Sequence, residues 1–197
     1  MPSQQQARRS TRIDVERNRA NLLDAAVEAM THDPDWSMAD VARAANLTRA
    51  TLYRHFGTRE KLLEAMREDA LARAAAAIKG SRLEEGSALD ALRRAVEAVL
   101  AQGARFRPLL EEGFEQSTSF LQQRQRVFAP LLEVVRRGQQ DGQLRTDLPA
   151  EWVLSVLMSL LTTAVRVSAA PWHRGGGDHS LTELTFTTLT EGITPRR

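Results

Sequence analysis

The stretch RATLYRHFGTREKLL, residues 49–63, combines side chains that could bind an anion with side chains that could anchor a helix. Arg, Lys, Thr, Tyr and His all offer hydrogen-bond donors. Leu52 and Phe56 stand four residues apart, so they would share one helix face and dock it on the protein. The donors would then face water or an anionic partner. The pattern therefore favours nucleic-acid binding, with a solvated helix face as the alternative.

The elements around this stretch have the spacing of a DNA-reading helix-turn-helix. Residues 37–56 read as a short helix, a three-residue turn and a second helix with an outward polar face. On a helical wheel, Ala50 and Arg54 point most directly away from the Leu52–Phe56 side. A small residue lets the backbone approach the major groove, and arginine can bond bidentately to guanine. The second helix is therefore predicted to read bases.

The run LLDAAVEAM…WSMADVARAANLTRATLYRHFGTREKLL closely resembles the N-terminal domain of tetracycline-repressor-type (TetR family) transcriptional regulators. The likeness covers roughly residues 12–66, and its motifs occur in order at the right gaps. Departures include Asn46 in place of the usual glycine and Ala39 where some members present a base-reading side chain. Arg43 then becomes a further candidate for base reading. The resemblance implies base contacts from Arg49, Ala50, Thr51 and Arg54.

Phosphate contacts are expected beside the reading face and at the helix openings, where backbone N–H groups are free. The openings contribute the N–H of Met38 and the N-terminal position of Thr48. Arg43 keeps a second interpretation as a phosphate-contacting or solvated side chain, and His55 as a packing residue. The resemblance implies phosphate contacts from Ser37, Tyr53, His55 and Arg59.

The apolar period is helical nearly throughout the chain, which predicts an all-α fold of about nine helices. We expect an N-terminal three-helix helix-turn-helix DNA-binding domain and a C-terminal helical ligand-binding and dimerisation domain. Capping signals predict helix starts at Ser37, Thr48, Thr58, Ser87, Asp147 and Ser180. The predicted division is a disordered basic tail over 1–10, the helix-turn-helix domain over 11–60 and the effector-binding and dimerisation domain over 61–197.

The composition excludes several classes of protein. The 197 residues include no cysteine, so disulfides and thiolate metal sites are absent, and the net charge is only +2. No G-x-S-x-G, H-E-x-x-H or phosphate-cradling glycine loop is present. His173 and His179 flank three glycines, which favours a mobile polar loop over a metal site. The apolar stretch 152–164 is interrupted by Ser and Thr, so we expect no membrane span, no cofactor, no enzyme activity and a cytoplasmic location.

In TetR-family regulators the C-terminal helices form a ligand pocket and a dimer interface, and both are expected here. The glutamates 111, 112 and 115 are interpreted as a solvated face or as an anchor for a cationic ligand. The pocket candidates, whose alternative role is ordinary core, are Phe106, Phe114, Glu115, Phe120, Phe128, Trp152 and Met158. The interface candidates are Leu157, Leu161, Val165, Leu184 and Leu189.

The resemblance implies a homodimeric repressor that is released from a palindromic double-stranded DNA operator by a small-molecule effector. The helix predicted over 58–79 joins both halves, so it is expected to transmit the ligand signal. The alternative function is a helical ligand- or partner-binding protein with a vestigial DNA-binding head.

Overall fold

Helices are the only regular elements in the part of the chain that this computed structural model describes, residues 19–113, 117–170 and 180–193. The predicted all-α class is therefore confirmed. The nine described helices are α1 (residues 19–32), α2 (Met38–Ala44), α3 (Arg49–Phe56), α4 (Arg59–Gly80), α5 (Ala88–Leu100), α6 (Gly103–Glu111), α7 (Thr118–Gln140), α8 (Ala150–Val167) and α9 (Leu181–Ile193).

Contacts between residues divide the chain into two units, Met1–Asp69 and Ala70–Arg197. The boundary falls inside α4. The functional division at residue 60 stays a prediction, and the basic tail over 1–10 lies outside the described residues.

The core of the first unit is built from α1 to α4. Trp36, from the DPDW segment, is buried there at 4% exposure, and the Arg59 guanidinium stacks 4.2 Å from its ring centroid. This apolar anchor holds the DPDW segment, residues 33–36, on the first unit. The other large buried side chains of the unit are Leu22, Leu23, Met30, Met38, Val41, Leu52, Phe56, Leu62 and Met66.

The turn between α2 and α3 is fixed by Asn46, whose φ of 54° is left-handed. The N–H of Asn46 donates to the carbonyl of Arg43 at 3.0 Å, and the N–H of Leu47 donates to that of Ala42 at 2.8 Å. This pair of bonds is a Schellman motif, which satisfies the last carbonyls of α2. Asparagine tolerates this conformation better than most residues, so Asn46 can take the place of the glycine that is usual in this turn.

The second unit is built around α5, α7, α8 and α9, which pack against one another. Gly138 of α7 lets two segments approach closely, because a Cβ there would lie 2.8 Å from Ala88 Cβ and 2.8 Å from Leu144 Cδ1. The fully buried side chains of the core include Leu92, Val96, Leu131, Val135, Leu144, Val153, Leu157 and Leu189.

The predicted start of α8 was wrong. Pro149, not Asp147, occupies the position before the helix, which runs over Ala150–Val167. Asp147 instead accepts from Arg145 Nε at 2.6 Å, which withdraws its carboxylate from the helix end. The caps at Ser37, Thr48, Thr58, Ser87 and Ser180 are confirmed, since each side chain accepts a backbone N–H three residues on.

By length and composition α8 is apolar enough to cross a membrane, contrary to the expectation for residues 152–164. Core helices of folded proteins have the same composition. Val153, Leu157 and Leu161 of α8 are buried in the second unit, which accounts for the apolar character without a bilayer.

Candidate nucleic-acid interface

Helix α3 carries an exposed polar face because its apolar side is fully used in packing. Leu52 is completely buried and Phe56 is 5% exposed, so the helix is held on the first unit by these two side chains. The predicted base-reading residues lie on the other side, where Arg49, Ala50 and Arg54 are exposed and Thr51 is half-buried. The exposed neighbours of this face are Thr48, Tyr53 and His55.

The N-terminus of α3 is capped by Thr48, whose Oγ1 accepts from the N–H of Thr51 at 3.2 Å. The two threonine hydroxyls lie 2.9 Å apart, so one donates to the other. One hydroxyl hydrogen of the pair therefore remains for an outside acceptor. The helix ends at Gly57, whose φ of 74° favours glycine.

Arg49 rests on Tyr53 one turn along the helix. Its guanidinium carbon lies 5.4 Å from the ring centroid, and Nη2 donates to the phenol oxygen at 3.4 Å. This hydrogen bond raises the pKa of Arg49 above its ordinary value, so the side chain stays charged. The phenol oxygen acts as acceptor, which leaves the Tyr53 O–H to donate elsewhere.

Arg54 is the most available cation of the face. It is exposed and forms no hydrogen bond or ion pair with any residue in the described part of the chain. His55 is also exposed, and its ring is tilted by 46° against Phe56 with the centroids 6.4 Å apart. His55 thus packs against Phe56 and also exposes part of its ring to solvent. Its position is consistent both with a packing role and with a phosphate contact.

The predicted phosphate contact from Ser37, which stays a prediction, would have to compete with the capping box of α2. The Ser37 N–H donates to Asp40 Oδ2 at 2.9 Å and the hydroxyl donates to the same atom at 2.6 Å. Both donors of Ser37 are therefore occupied. The N–H of Met38 lies in the first helical turn, where no carbonyl of the helix can accept it, so this donor remains a candidate for phosphate.

Asp40 also holds Arg43, whose Nη1 donates to Asp40 Oδ1 at 2.8 Å. The hydrogen bonds from Ser37, and then that from Arg43, lower the pKa of Asp40 below its ordinary value of 3.8. A lowered pKa means that the contribution of this carboxylate to stability is present above pH 3.8 and is lost as the pH falls through the folded-state value. Base reading by Arg43 would require it to leave this ion pair.

Arg43 and Arg49 lie on either side of an open groove of about 440 Å³ between the end of α2 and the start of α3. Arg59, a predicted phosphate contact, is half-buried against Trp36. The stacking of Arg59 on Trp36 was not foreseen, because nothing local in the sequence pairs residues 36 and 59.

The second unit contains an apolar cavity of about 50 Å³ that brings together four of the predicted pocket residues. Trp152 is not among them, since it is 59% exposed on the surface of α8. Phe114 and Glu115 lie outside the described residues. The side chains around the cavity are Val99, Phe106, Leu110, Phe120, Arg124, Phe128, Met158, Leu161, Thr162 and Val165.

Most of the predicted dimer-interface residues are buried inside a single chain. Leu157, Leu161, Val165 and Leu189 are at most 6% exposed, so they have almost no area left for a second copy. The core of the second unit uses these four side chains, so their burial within one chain does not support their place at an interface, which stays a prediction. Leu184 is half-buried and keeps some free area.

No group of three or more His, Asp or Glu side chains that could hold a metal occurs in residues 19–113, 117–170 and 180–193. His173 and His179 lie outside these ranges.

Comparison with known proteins shows that this chain is similar to bacterial transcriptional regulators. A family model described as bacterial regulatory proteins of the tetR family matches residues 22–66, which contain α2 and α3. The HTH-type transcriptional repressor LfrR of Mycolicibacterium smegmatis is 27% identical over 183 residues, covering 90% of this chain and 91% of the relative. The segment that contains the helix-turn-helix therefore matches the tetR family, and the chain as a whole is similar to a repressor of that type.

Solved structures of TetR-family regulators share the fold of this chain over most of its length. LfrR from Mycobacterium smegmatis in complex with proflavine has a TM-score of 0.75 and 25% identity, covering 93% of this chain and 99% of the other. PfmR from Thermus thermophilus has a TM-score of 0.69 and 26% identity, covering 85% and 94%. The likeness therefore extends through both units.

Proposed function

We propose that this chain is a homodimeric transcriptional repressor of the TetR family, released from a palindromic operator by a small molecule. The observation that carries the proposal is the exposed face of α3, where Arg54 is open while Leu52 and Phe56 anchor the helix. Major-groove readers need such a helix: rigid on one side, cationic on the other, and small at the point of closest approach, here Ala50.

The contacts divide into base reading and phosphate anchoring. Arg54 is assigned to a guanine edge, with Ala50 and Thr51 contacting bases beside it. Arg49 is assigned to a base as well, which requires it to leave the Tyr53 ring. The Tyr53 O–H, a hydroxyl of the Thr48–Thr51 pair and the Met38 N–H are assigned to phosphates, which set the register but carry no sequence information. Arg43, His55 and Arg59 remain candidates of lower availability, since each already has a contact within the chain.

A single reading helix binds DNA weakly, so a dimer is part of the proposal. In a dimer, two α3 helices about 34–36 Å apart would enter successive major grooves of a palindromic site. The free face of α8 supports this assembly, since Ser159 and Thr163 are exposed one turn apart and would allow close approach of a second copy. Trp152 at the start of α8 and Leu184 of α9 add apolar area.

The effector is proposed to bind in the second unit, at the cavity between α6, α7 and α8. A related repressor, LfrR, has been solved with proflavine, which supports a small-molecule ligand for this chain as well. The effector is expected to bind more tightly to a conformation of the dimer in which the two α3 helices are wrongly spaced for DNA. The free energy of DNA binding can then fall by at most the difference between the effector's binding free energies for the two conformations. The protein is expected to act in the cytoplasm and to have no enzyme activity.

Binding of the full chain to duplex DNA as a function of salt tests the function. Neutralising several phosphates makes the logarithm of the binding constant fall linearly with the logarithm of the salt concentration. A steep slope together with a dimeric mass supports the proposal. Binding without a salt slope, or none at 50 mM salt, contradicts it and favours a ligand- or partner-binding protein with a vestigial head.

A further inference from the structure

The apolar cavity of the second unit has a neighbour that shares its wall. An open groove of about 310 Å³ lies between α7 and α8 and is lined only by residues of these two helices. Arg124 of α7 and Met158 of α8 line both the cavity and the groove. The two spaces therefore meet at these two side chains.

The volumes indicate that the cavity alone is not the whole ligand site. At about 50 Å³ the cavity has room for only one or two water molecules, whereas pockets for drug-sized ligands measure about 300–1,000 Å³. The groove, at about 310 Å³, reaches the lower end of that range but is open to solvent, and the cavity beside it adds enclosed apolar surface. A ligand that extends through the junction gains both the apolar surface of the cavity and the room of the groove.

The junction can open without moving the backbone. Methionine has three rotatable side-chain bonds and adapts to irregular spaces, and arginine is longer still. Met158 and Arg124 are both half-buried, so each has solvent on one side to move into. The Met158 carbonyl accepts from Thr162 Oγ1 at 2.9 Å, a bond that involves the backbone of Met158 and not its side chain.

The linings of the two spaces differ in polarity, and this difference defines a class of ligand. Phe106, Phe120 and Phe128 give the cavity an aromatic wall. The groove adds Gln125 and Ser155, and the Ser155 hydroxyl donates to the Glu151 carbonyl at 2.8 Å, so its oxygen can still accept.

We propose that cavity and groove form one composite site for an elongated amphiphile, with its apolar end against the phenylalanine wall of the cavity and its polar end in the α7–α8 groove. The assignment rests on the proposed function, because it names the ligand class of that effector site. Met158 and Arg124 are the side chains that move apart to admit the ligand.

Fluorescence titration of the full chain tests the composite site, with 1-anilinonaphthalene-8-sulfonate as the probe. Ala129 is exposed and lines the groove but not the cavity, so Ala129→Trp fills the outer space alone. Gln122→Trp is the matched control, since Gln122 is an exposed residue of α7 that lines neither space. Phe106→Ala, with Phe106→Leu as the milder variant, removes aromatic wall from the cavity.

The composite site predicts that Ala129→Trp and Phe106→Ala each weaken probe binding at least tenfold, while Gln122→Trp leaves it unchanged. If only Phe106→Ala weakens probe binding, the probe occupies the cavity alone. If only Ala129→Trp weakens it, the probe occupies the groove alone. Either result overturns the proposal, as does the absence of saturable binding to the unaltered chain. Circular dichroism and melting temperature confirm that each variant is folded.

The readout contains no DNA, so it is independent of the repressor function. Adding the probe to a complex of the chain with a labelled duplex tests release separately. Probe binding that follows the composite pattern in a chain that never binds DNA would contradict the proposed function and leave the composite site standing.

Discussion

At the scale of the residue, the cations of the helix-turn-helix differ in how much they must give up before touching DNA. Arg43 is paired with Asp40 and Arg49 rests on Tyr53, whereas Arg54 has no such bond to a described residue. A side chain that is already open loses nothing of its own when it binds a base. Arg54 should therefore contribute most to discrimination between bases.

Arg54→Ala is expected to weaken operator binding by about 1–3 kcal/mol and to relax the preference at one base position. Electrophoretic titration against the operator and its single-base variants measures both effects. Arg126→Ala is the control, because Arg126 is an exposed arginine of α7, outside the helix-turn-helix. Unchanged affinity and unchanged base preference in Arg54→Ala would show that this arginine does not read a base.

Tyr53→Phe should weaken all duplexes alike. The variant keeps the ring on which Arg49 stacks and removes the hydroxyl, which is assigned to phosphate and also accepts from Arg49 Nη2 at 3.4 Å. A hydrogen bond to a charged group contributes about 1.5–3 kcal/mol, and a phosphate contact carries no base preference. Titration of operator and random duplex side by side measures the loss. A loss confined to the operator would instead place the hydroxyl on a base.

The outward position of Ala50 and Arg54 could be predicted from the sequence, because helical spacing relative to Leu52 and Phe56 is enough to fix it. Which hydrogen-bond donors are free to bind DNA could not be predicted from the sequence. Ser37 was assigned to phosphate, yet both of its donors bind Asp40. Helix caps and phosphate sites use the same residue types at the same position, so only the hydrogen bonds of the folded chain separate them.

At the scale of the element, local signals predicted helix starts well where a capping residue had no competitor. Ser37, Ser87 and Ser180 each accept the backbone N–H three residues on. Asp147 failed as a cap because Arg145, two residues earlier, binds its carboxylate. Close approaches between segments far apart in sequence could not be read at all, and Gly138 is the clearest case.

Gly138→Ala is expected to destabilise the second unit by about 1–3 kcal/mol, because its Cβ would lie within 2.9 Å of three side-chain carbons of Ala88 and Leu144. Urea unfolding of the full chain, followed by circular dichroism, measures the change. Gly80→Ala is the control, since a Cβ at this helical glycine meets nothing within 4 Å. There alanine should be neutral or stabilising by up to about 1 kcal/mol. Equal stability of the two variants would contradict the close packing at Gly138.

At the scale of the whole molecule, the sequence showed that α8 is apolar over more than half of its circumference but not which side meets its own core. Leu157, Leu161 and Val165 pack inside the chain, so the face left for a second copy carries Ser159 and Thr163. Periodicity assigns residues to a common face. It does not say whether that face meets the same chain or a partner.

Ser159→Arg should convert the dimer to a monomer and weaken operator binding at least tenfold, because a long charged side chain would stand where two copies of α8 approach closely. Sedimentation velocity measures the mass, and DNA titration measures the affinity. Gln122→Arg, at an exposed position of α7, should change neither. A dimer that survives Ser159→Arg with full affinity would place the interface elsewhere.

The most direct measurement of the central claim is selection of bound duplexes from a random DNA library by the full chain at ~150 mM salt, near physiological ionic strength. The predicted result is an enriched palindrome whose half-sites lie about one helical turn apart, as two α3 helices in a dimer require. Enrichment of a single, non-repeated site would contradict the dimeric reading geometry. Failure of a folded, dimeric chain to enrich any sequence would contradict base reading by α3.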